Sequence, residues 1–350
     1  MISRIKQFQK QFAQNKIDAY LVTCDKNISY LTEFPAAESW LLVLPNKAYY
    51  ITDFRYVAEA RKNIKNAKVV EYKDSILGKF SDLIKLNKAK RIGFDDRYVS
   101  VSLFLKIKKA CSEKISFVSC QNLIEYRRSI KEQKEIRQIK KCLNLNLKAF
   151  DYIKRVMKLG MTEHDVYLRL DRYLKSHGAS FSFDPIVASG PNSSFPHAKV
   201  TNRKIRTDDV VMIDMGVDIA GYKSDLTRMF FLGKITPLMK RIYESVRVAQ
   251  EKAISRIRPG VKAADIDQEA RKHLESNKLA KYFGHSLGHG VGLEIHEDPC
   301  ISQKNTNLIE ENMIFTVEPA VYIPNKFGIR IEDMVLVTKQ GCKIISNKLY

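Results

Sequence analysis

The sequence predicts an α/β (α+β) chain of two domains. Its 350 residues are long for a single domain. Strand-like and helical segments alternate over roughly the first 120 residues, and a long apolar stripe with 3,4 spacing follows them. A hydrophobic fraction of 45% is enough to bury a sizeable core, which excludes a disordered or fibrous chain.

The elements follow in order. Ile2–Lys16 has helical spacing through Ile5, Phe8 and Phe12, and Ala19–Thr23 reads as a strand. Leu41–Leu44 and Ala48–Thr52 flank Pro45-Asn46-Lys47, a hairpin turn, with Trp40 expected in the core or an interface. Phe54–Asn63 and Leu77–Asn87 read as helices and Arg91–Phe94 as a strand. The charged stretch Glu125–Glu135 then opens one long helix whose stripe is Ile136, Ile139, Leu143, Leu147, Phe150, Ile153 and Met157, a core-facing pattern. Gly160 reads as its C-cap. Thr162 begins another helix, with Asp165 at the capping-box position. The domains are therefore expected at 1–124 and 125–350, and no internal repeat of 20–50 residues is visible.

Composition narrows the function. The 60 Lys+Arg exceed the 39 Asp+Glu by 21. The excess is spread, +11 over 1–130 and +10 over 131–350, so no concentrated basic face for nucleic acid is expected. The longest apolar runs, such as Trp40–Leu44 and Val210–Ile213, fall far short of the ~20 residues that span a bilayer. The polar N-terminus carries no secretory core, which makes the cytoplasm the expected compartment. Cys24, Cys111, Cys120, Cys142, Cys300 and Cys342 are scattered, as reduced thiols are.

The chemistry concentrates in the second part. His197 follows Phe195-Pro196, and His285, His289 and His296 fall within GHSLGHGVGLEIHE. Asp214, Asp225, Glu318 and Glu332 each sit in a strand-like apolar context. A lone buried charge costs several kcal/mol unless paired or bound to a metal, so four of them need a common explanation. If Asp214 and Asp225 flank a hairpin centred on Ile219-Ala220, they lie opposite one another. Glu318 and Glu332 repeat the pattern about Asn325. Facing carboxylates cannot all ionise without cations. Four of them with one imidazole match two divalent ions, Mn²⁺ first, with Co²⁺ or Zn²⁺ as alternatives. His289 and His296 are seven apart and point oppositely in a regular strand, so sharing a pocket requires a bulge at Gly290 or Gly292. His164, His177 and His273 read as surface residues.

ASGPNSSFPHA, DMG…SDLTR, GHGVGLEIHE, VEPAVY and IRIED resemble, in order, the pita-bread metallopeptidases that include prolidases and Xaa-Pro aminopeptidases. NISYLTEF…LLVL…YYITDFRYVAEA is similar to their creatinase-like N-terminal domain. The resemblance implies a catalytic domain with a curved antiparallel sheet flanked by helices. It implies Asp214, Asp225, His289, Glu318 and Glu332 as ligands of two metal ions, with Glu318 also moving a proton. His197 and His296 would contact substrate and stabilise the tetrahedral intermediate, and His285 would sit on the proline side. Arg330 would orient the carboxylates.

One departure stands out. Many relatives carry an arginine four residues beyond the His296 position, where this chain has Cys300. In a dipeptidase that arginine could hold the product's free carboxylate. The expectation is therefore an Xaa-Pro aminopeptidase acting on peptides with proline second, as a homodimer. A dipeptidase and a non-catalytic scaffold are the alternatives.

Overall fold

The computed structural model describes residues 3–346, and these form two compact units meeting at Arg128 and Ser129. In the first unit the elements are α1 (Arg4–Gln9), β1 (Ala19–Val22), α2 (Asp25–Thr32), β2 (Trp40–Val43), β3 (Ala48–Thr52), α3 (Val57–Asn63), β4 (Lys68–Glu71), α4 (Ile76–Leu86), β5 (Arg91–Phe94), α5 (Val101–Ala110), β6 (Ser116–Ser119) and the short α6 (Glu125–Ser129). The six strands make one mixed sheet in the order β4-β3-β2-β1-β5-β6. The hairpin at Pro45 closes as the sequence predicts, with Val43 opposite Ala48. Trp40 is buried and packs edge-on against Phe80.

The N-terminal helix is shorter than expected. It ends at Gln9, and Ile2 lies outside the described residues. The expected long helix also breaks. Ile130 pairs with Met313 as an isolated bridge, and the Lys131 amide donates to the Asn312 carbonyl, so the chain is extended there. A new helix, α7 (Gln133–Val156), starts only after Glu132, whose amide is taken by the Glu135 carboxylate. It closes on Met157, and Gly160 (φ +83°) shapes the turn that follows, not the cap itself. The helix beginning at Thr162, α8 (Glu163–Ser176), has the expected capping box with Asp165.

The rest of the second unit is β7 (Ser180–Phe181), β8 (Ile186–Ser189), β9 (Val210–Met215), β10 (Val217–Ile219), β11 (Tyr222–Lys223), β12 (Leu226–Phe231), α9 (Pro237–Arg256), α10 (Ala263–Ser276), β13 (Gly288–Gly290), β14 (Glu297–Ile301), β15 (Ile314–Val317), β16 (Ala320–Ile323), β17 (Phe327–Arg330), β18 (Asp333–Thr338) and β19 (Gly341–Ile344). All pairings are antiparallel, in the groups β12-β9-β8, β14-β13-β15-β18-β19, β16-β17 and β11-β10-β7. Strand side chains alternate between two cores. Val210, Met212, Phe315, Val317, Val335 and Val337 join the residues of α9 and α10. Val211, Ile213, Met215, Ile314, Met334 and Leu336 join those of α7 and α8.

The two helix pairs are copies of one plan, which the sequence did not disclose. Helices α8 and α10 are both 14 residues long and start 100 positions apart. Gly160 and Gly260 precede them with the same φ of +83°. Thr162 bridges to Lys204 as Lys262 bridges to Leu308.

Candidate metal centre and active site

The hairpin that carries Asp214 and Asp225 turns one residue later than expected. Ala220 (φ +54°) and Gly221 (φ +85°) form the two-residue loop, with Ile219 opposite Tyr222. Both loop positions of such a turn need positive φ, which glycine adopts freely and β-branched Ile219 does not. Asp214 therefore faces Thr227, and Asp225 lies diagonal to it instead of opposite. A shift of two keeps both carboxylates on one face. The second hairpin has the register the sequence predicts. Ala320 faces Arg330 and Ile323 faces Phe327, and continuing that pairing sets Glu318 across from Glu332.

His289 lies on the short strand β13, between two glycines. A Cβ on Gly288 would sit 1.9 Å from the Thr316 carbonyl oxygen, so only glycine lets β13 lie this close to β15. The β13–β14 register shifts between Gly288 and Gly290, and the intervening loop returns His296 to His289, ring centres 4.2 Å apart. His296 lies outside any strand, in the connection 291–296, so the two rings meet through that connection and not through the bulge expected at Gly290 or Gly292.

The side chains converge. His289 Nδ1 donates to its neighbour's carbonyl at Gly290 (3.1 Å), which leaves Nε2 facing Glu318 Oε1 at 3.3 Å and Asp225 Oδ2 at 3.5 Å. Ligand atoms of Asp225, His289 and Glu332 all lie within 4.8 Å of one another. Asp214 joins through Arg330, whose Nη2 donates to its Oδ2 at 2.6 Å. Arg330 Nε donates to Thr227 Oγ1 (3.0 Å), and that hydroxyl donates to Glu332 Oε2 (2.8 Å). Arg330 Nη1 reaches the Pro196 carbonyl (3.2 Å) and the Tyr322 hydroxyl. His285 Nδ1 donates to Ser286 O (2.8 Å), so its Nε2 accepts from Tyr322 (3.2 Å). His197 lies on the exposed stretch beside Pro196, near enough for its charge to act on His296. The sequence alone does not single out Thr227 and Tyr322. Their signal was position, two residues beyond Asp225 and within VEPAVY.

The electrostatics demand compensation. Burial, followed by the neighbouring carboxylates, pushes Asp225 and Glu332 well above the usual range. Burial also raises Asp214, against the pull of Arg330. For Glu318 burial acts upward, but the hydrogen bond and charge of His289 outweigh it and hold this carboxyl low. Burial lowers His285 and His296, which are therefore neutral near pH 7. Asp214 Oδ1 and Asp225 Oδ1 are buried without a hydrogen-bond partner. Unpartnered carboxylate oxygens beside an imidazole nitrogen that faces only carboxylates are what an oxygen-rich divalent metal site requires, so the residues present fit such ions.

In this two-core antiparallel unit, four carboxylates gathered about an imidazole make the donor set of a divalent-metal site. Residues 137–339 match the description "Metallopeptidase family M24", and residues 4–130 match "Creatinase/Prolidase N-terminal domain". The Xaa-Pro dipeptidase of Pyrococcus horikoshii is 34% identical over 347 residues, covering 98% of this chain and 96% of its own. The structure of an Xaa-Pro dipeptidase from Bacillus anthracis superposes with a TM-score of 0.95 at 32% identity, over 99% of this chain and 97% of that one. An X-Pro aminopeptidase from Thermotoga maritima gives 0.89 at 32% identity, over 97% and 98%. The chain belongs to metallopeptidase family M24 and carries the creatinase/prolidase N-terminal domain. It is an enzyme with the pita-bread architecture. No helix among the described residues is long and apolar enough to cross a membrane.

Proposed function

We propose that this enzyme is an Xaa-Pro aminopeptidase with a dinuclear centre. The observation that carries the reading is the buried convergence of Asp214, Asp225, Glu318 and Glu332 on His289, with two carboxylate oxygens left unpartnered. These five side chains would hold two divalent ions. Oxygen-rich donors favour Mn²⁺. When bound, the ions supply a water of lowered pKa and polarise the scissile carbonyl.

The chain's own groups do the rest. Glu318, ionised beside His289, is placed to accept the water's proton and return it to the departing proline nitrogen. His296 and His197 would donate ring N–H groups to the oxygen on which negative charge develops. His285, fixed as the Nδ1–H tautomer by Ser286, lines the proline side with Tyr322. A tertiary Xaa-Pro amide has no N–H to recognise, so shape selects it.

Cys300 supports the preference for longer peptides. Its exposed thiol lies 3.7 Å from the Ser286 hydroxyl, on the residue after His285, and offers no positive charge for a free proline carboxylate. The resemblance further supports a homodimer. Incubation with Ala-Pro and Ala-Pro-Ala tests the reading. Cleavage of the tripeptide is expected, and cleavage confined to the dipeptide makes the enzyme a prolidase.

A further inference from the structure

Glu163 is the first residue of α8 and is completely buried. Nothing in the reading above uses it. Its Oε1 accepts from the Ser189 amide (2.7 Å), the Ser189 hydroxyl (2.8 Å) and the Asn192 side-chain amide (3.0 Å). Its Oε2 accepts from the same Asn192 group (3.1 Å), the Thr201 amide (3.1 Å) and the Thr201 hydroxyl (2.6 Å). All these donors bracket one segment, Ser189 to Thr201, which carries His197 near its middle. A buried carboxylate is tolerated only when fully hydrogen-bonded, and among the described residues every hydrogen bond that the Glu163 carboxylate accepts comes from this segment. The N-terminal end of α8 adds a favourable dipole.

The rest of the frame agrees. Arg203 ties the Ser189 hydroxyl (2.7 Å) to Asp209 (2.6 Å). Gly328 N donates to Ser193 Oγ (2.9 Å), and Arg330 holds the Pro196 carbonyl. His197 itself is exposed, and no hydrogen bond to its ring is seen among the described residues. Its direction is therefore inherited from the backbone on either side.

The second copy of the helix-pair plan provides a control within the same molecule. Ala263 occupies the position equivalent to Glu163, so the fold does not demand an acid there. Instead Asp267, also completely buried, accepts from the Leu287 amide (3.1 Å) and pairs with Arg271 (2.6 Å). Arg271 donates to the carbonyls of Phe283 (3.0 Å) and His285. In each half a buried acid on the second helix holds the histidine-bearing loop of that half.

We propose that Glu163 is the positioning residue for His197, fixing the Ser189–Thr201 segment so that the imidazole is already aimed before substrate arrives. This rests on the reading of His197 as a group that contacts substrate. Preorganisation of this kind raises kcat, because a loose loop must be ordered anew in each turnover. The bonding makes Glu163→Gln a sharp probe. Both oxygens face a backbone N–H, so the NH2 of glutamine opposes a donor in either orientation.

The test is a double-mutant cycle of Glu163→Gln and His197→Ala, with whichever of Ala-Pro-Ala and Ala-Pro the enzyme cleaves. Amide hydrogen exchange over 190–201 is followed in parallel on the metal-free protein. Glu163→Gln is expected to lower kcat about tenfold or more, with KM changed less than about threefold and metal content unchanged, and to speed exchange over 190–201. In the His197→Ala background the same substitution should cost less than about twofold. Equal losses in both backgrounds, or a folded Glu163→Gln enzyme with full kcat, overturn the proposal. If Glu163→Gln does not fold, Thr201→Val enters the same cycle, with about a threefold loss expected that vanishes without His197. His197→Ala alone reports on the prior reading: full activity there removes the substrate role of His197 and the positioning proposal with it. Loss there combined with additivity in the cycle removes only the role of Glu163.

Discussion

Arg330 links more of the site than any of the proposed metal ligands does. One guanidinium holds Asp214, reaches Glu332 through Thr227, and touches Tyr322 and the Pro196 carbonyl. Lysine has the charge but not the fork. Arg330→Lys should lower metal affinity or kcat/KM by about 10–100-fold, measured by Mn²⁺ titration and by peptide hydrolysis. Retention of both at wild-type level would remove Arg330 from the account. Gly288 is a second single-residue test. Its added Cβ would meet main chain at 1.9 Å, which no side-chain rotation relieves. Gly288→Ala should displace His289 and abolish activity, whereas Gly221→Ala meets only Leu293 Cδ2 at 3.9 Å, an ordinary contact, and has a positive φ to bear. That change should cost about 1–2 kcal/mol in chemical denaturation and leave kcat intact.

The facing strands govern the pH response. Asp214, Asp225 and Glu332 are raised in the folded chain above the ordinary 3.8 of an aspartate and 4.5 of a glutamate, and His289 is raised as well, Glu318 outweighing the effect of burial. The folded metal-free protein therefore keeps protons that the unfolded chain gives up. Its stability from these groups is present below the ordinary values and is lost as pH rises through the folded ones. Glu318, held low, acts in the opposite sense, as one carboxylate against three. Divalent ions bind the ionised form and reverse the trend. Melting at pH 5 and pH 7.5 should show metal-free protein less stable at the higher pH, and the gain in Tm on adding Mn²⁺ larger there. A metal gain independent of pH would contradict the coupled carboxylate cluster.

At the scale of the molecule, legibility in the sequence followed local chemistry. The Glu318–Glu332 register was readable because Pro324-Asn325-Lys326-Phe327-Gly328 can only be a turn and both flanking runs are apolar. The Asp214–Asp225 register slipped by two because a type of turn, not a spacing, sets it, and Ala220-Gly221 is a weak signal beside Asp218. The break before Gln133 depends on Met313 and Asn312, far along the chain, so no local pattern marks it. The doubled helix pairs are not legible in the sequence because Glu163 and Ala263 keep the geometry while exchanging the chemistry. The buried acids were legible as an anomaly, and their supports, Thr227 and Glu163, were not, since a threonine or a capping-turn glutamate is ordinary in sequence.

The most direct measurement is metal content per folded chain by elemental analysis, before and after chelation, alongside peptide hydrolysis. Two ions per chain are predicted, with hydrolysis lost on chelation and restored by Mn²⁺, and with Asp225→Asn and Glu332→Gln unable to retain the pair. Full hydrolysis by chains stripped of metal would contradict it.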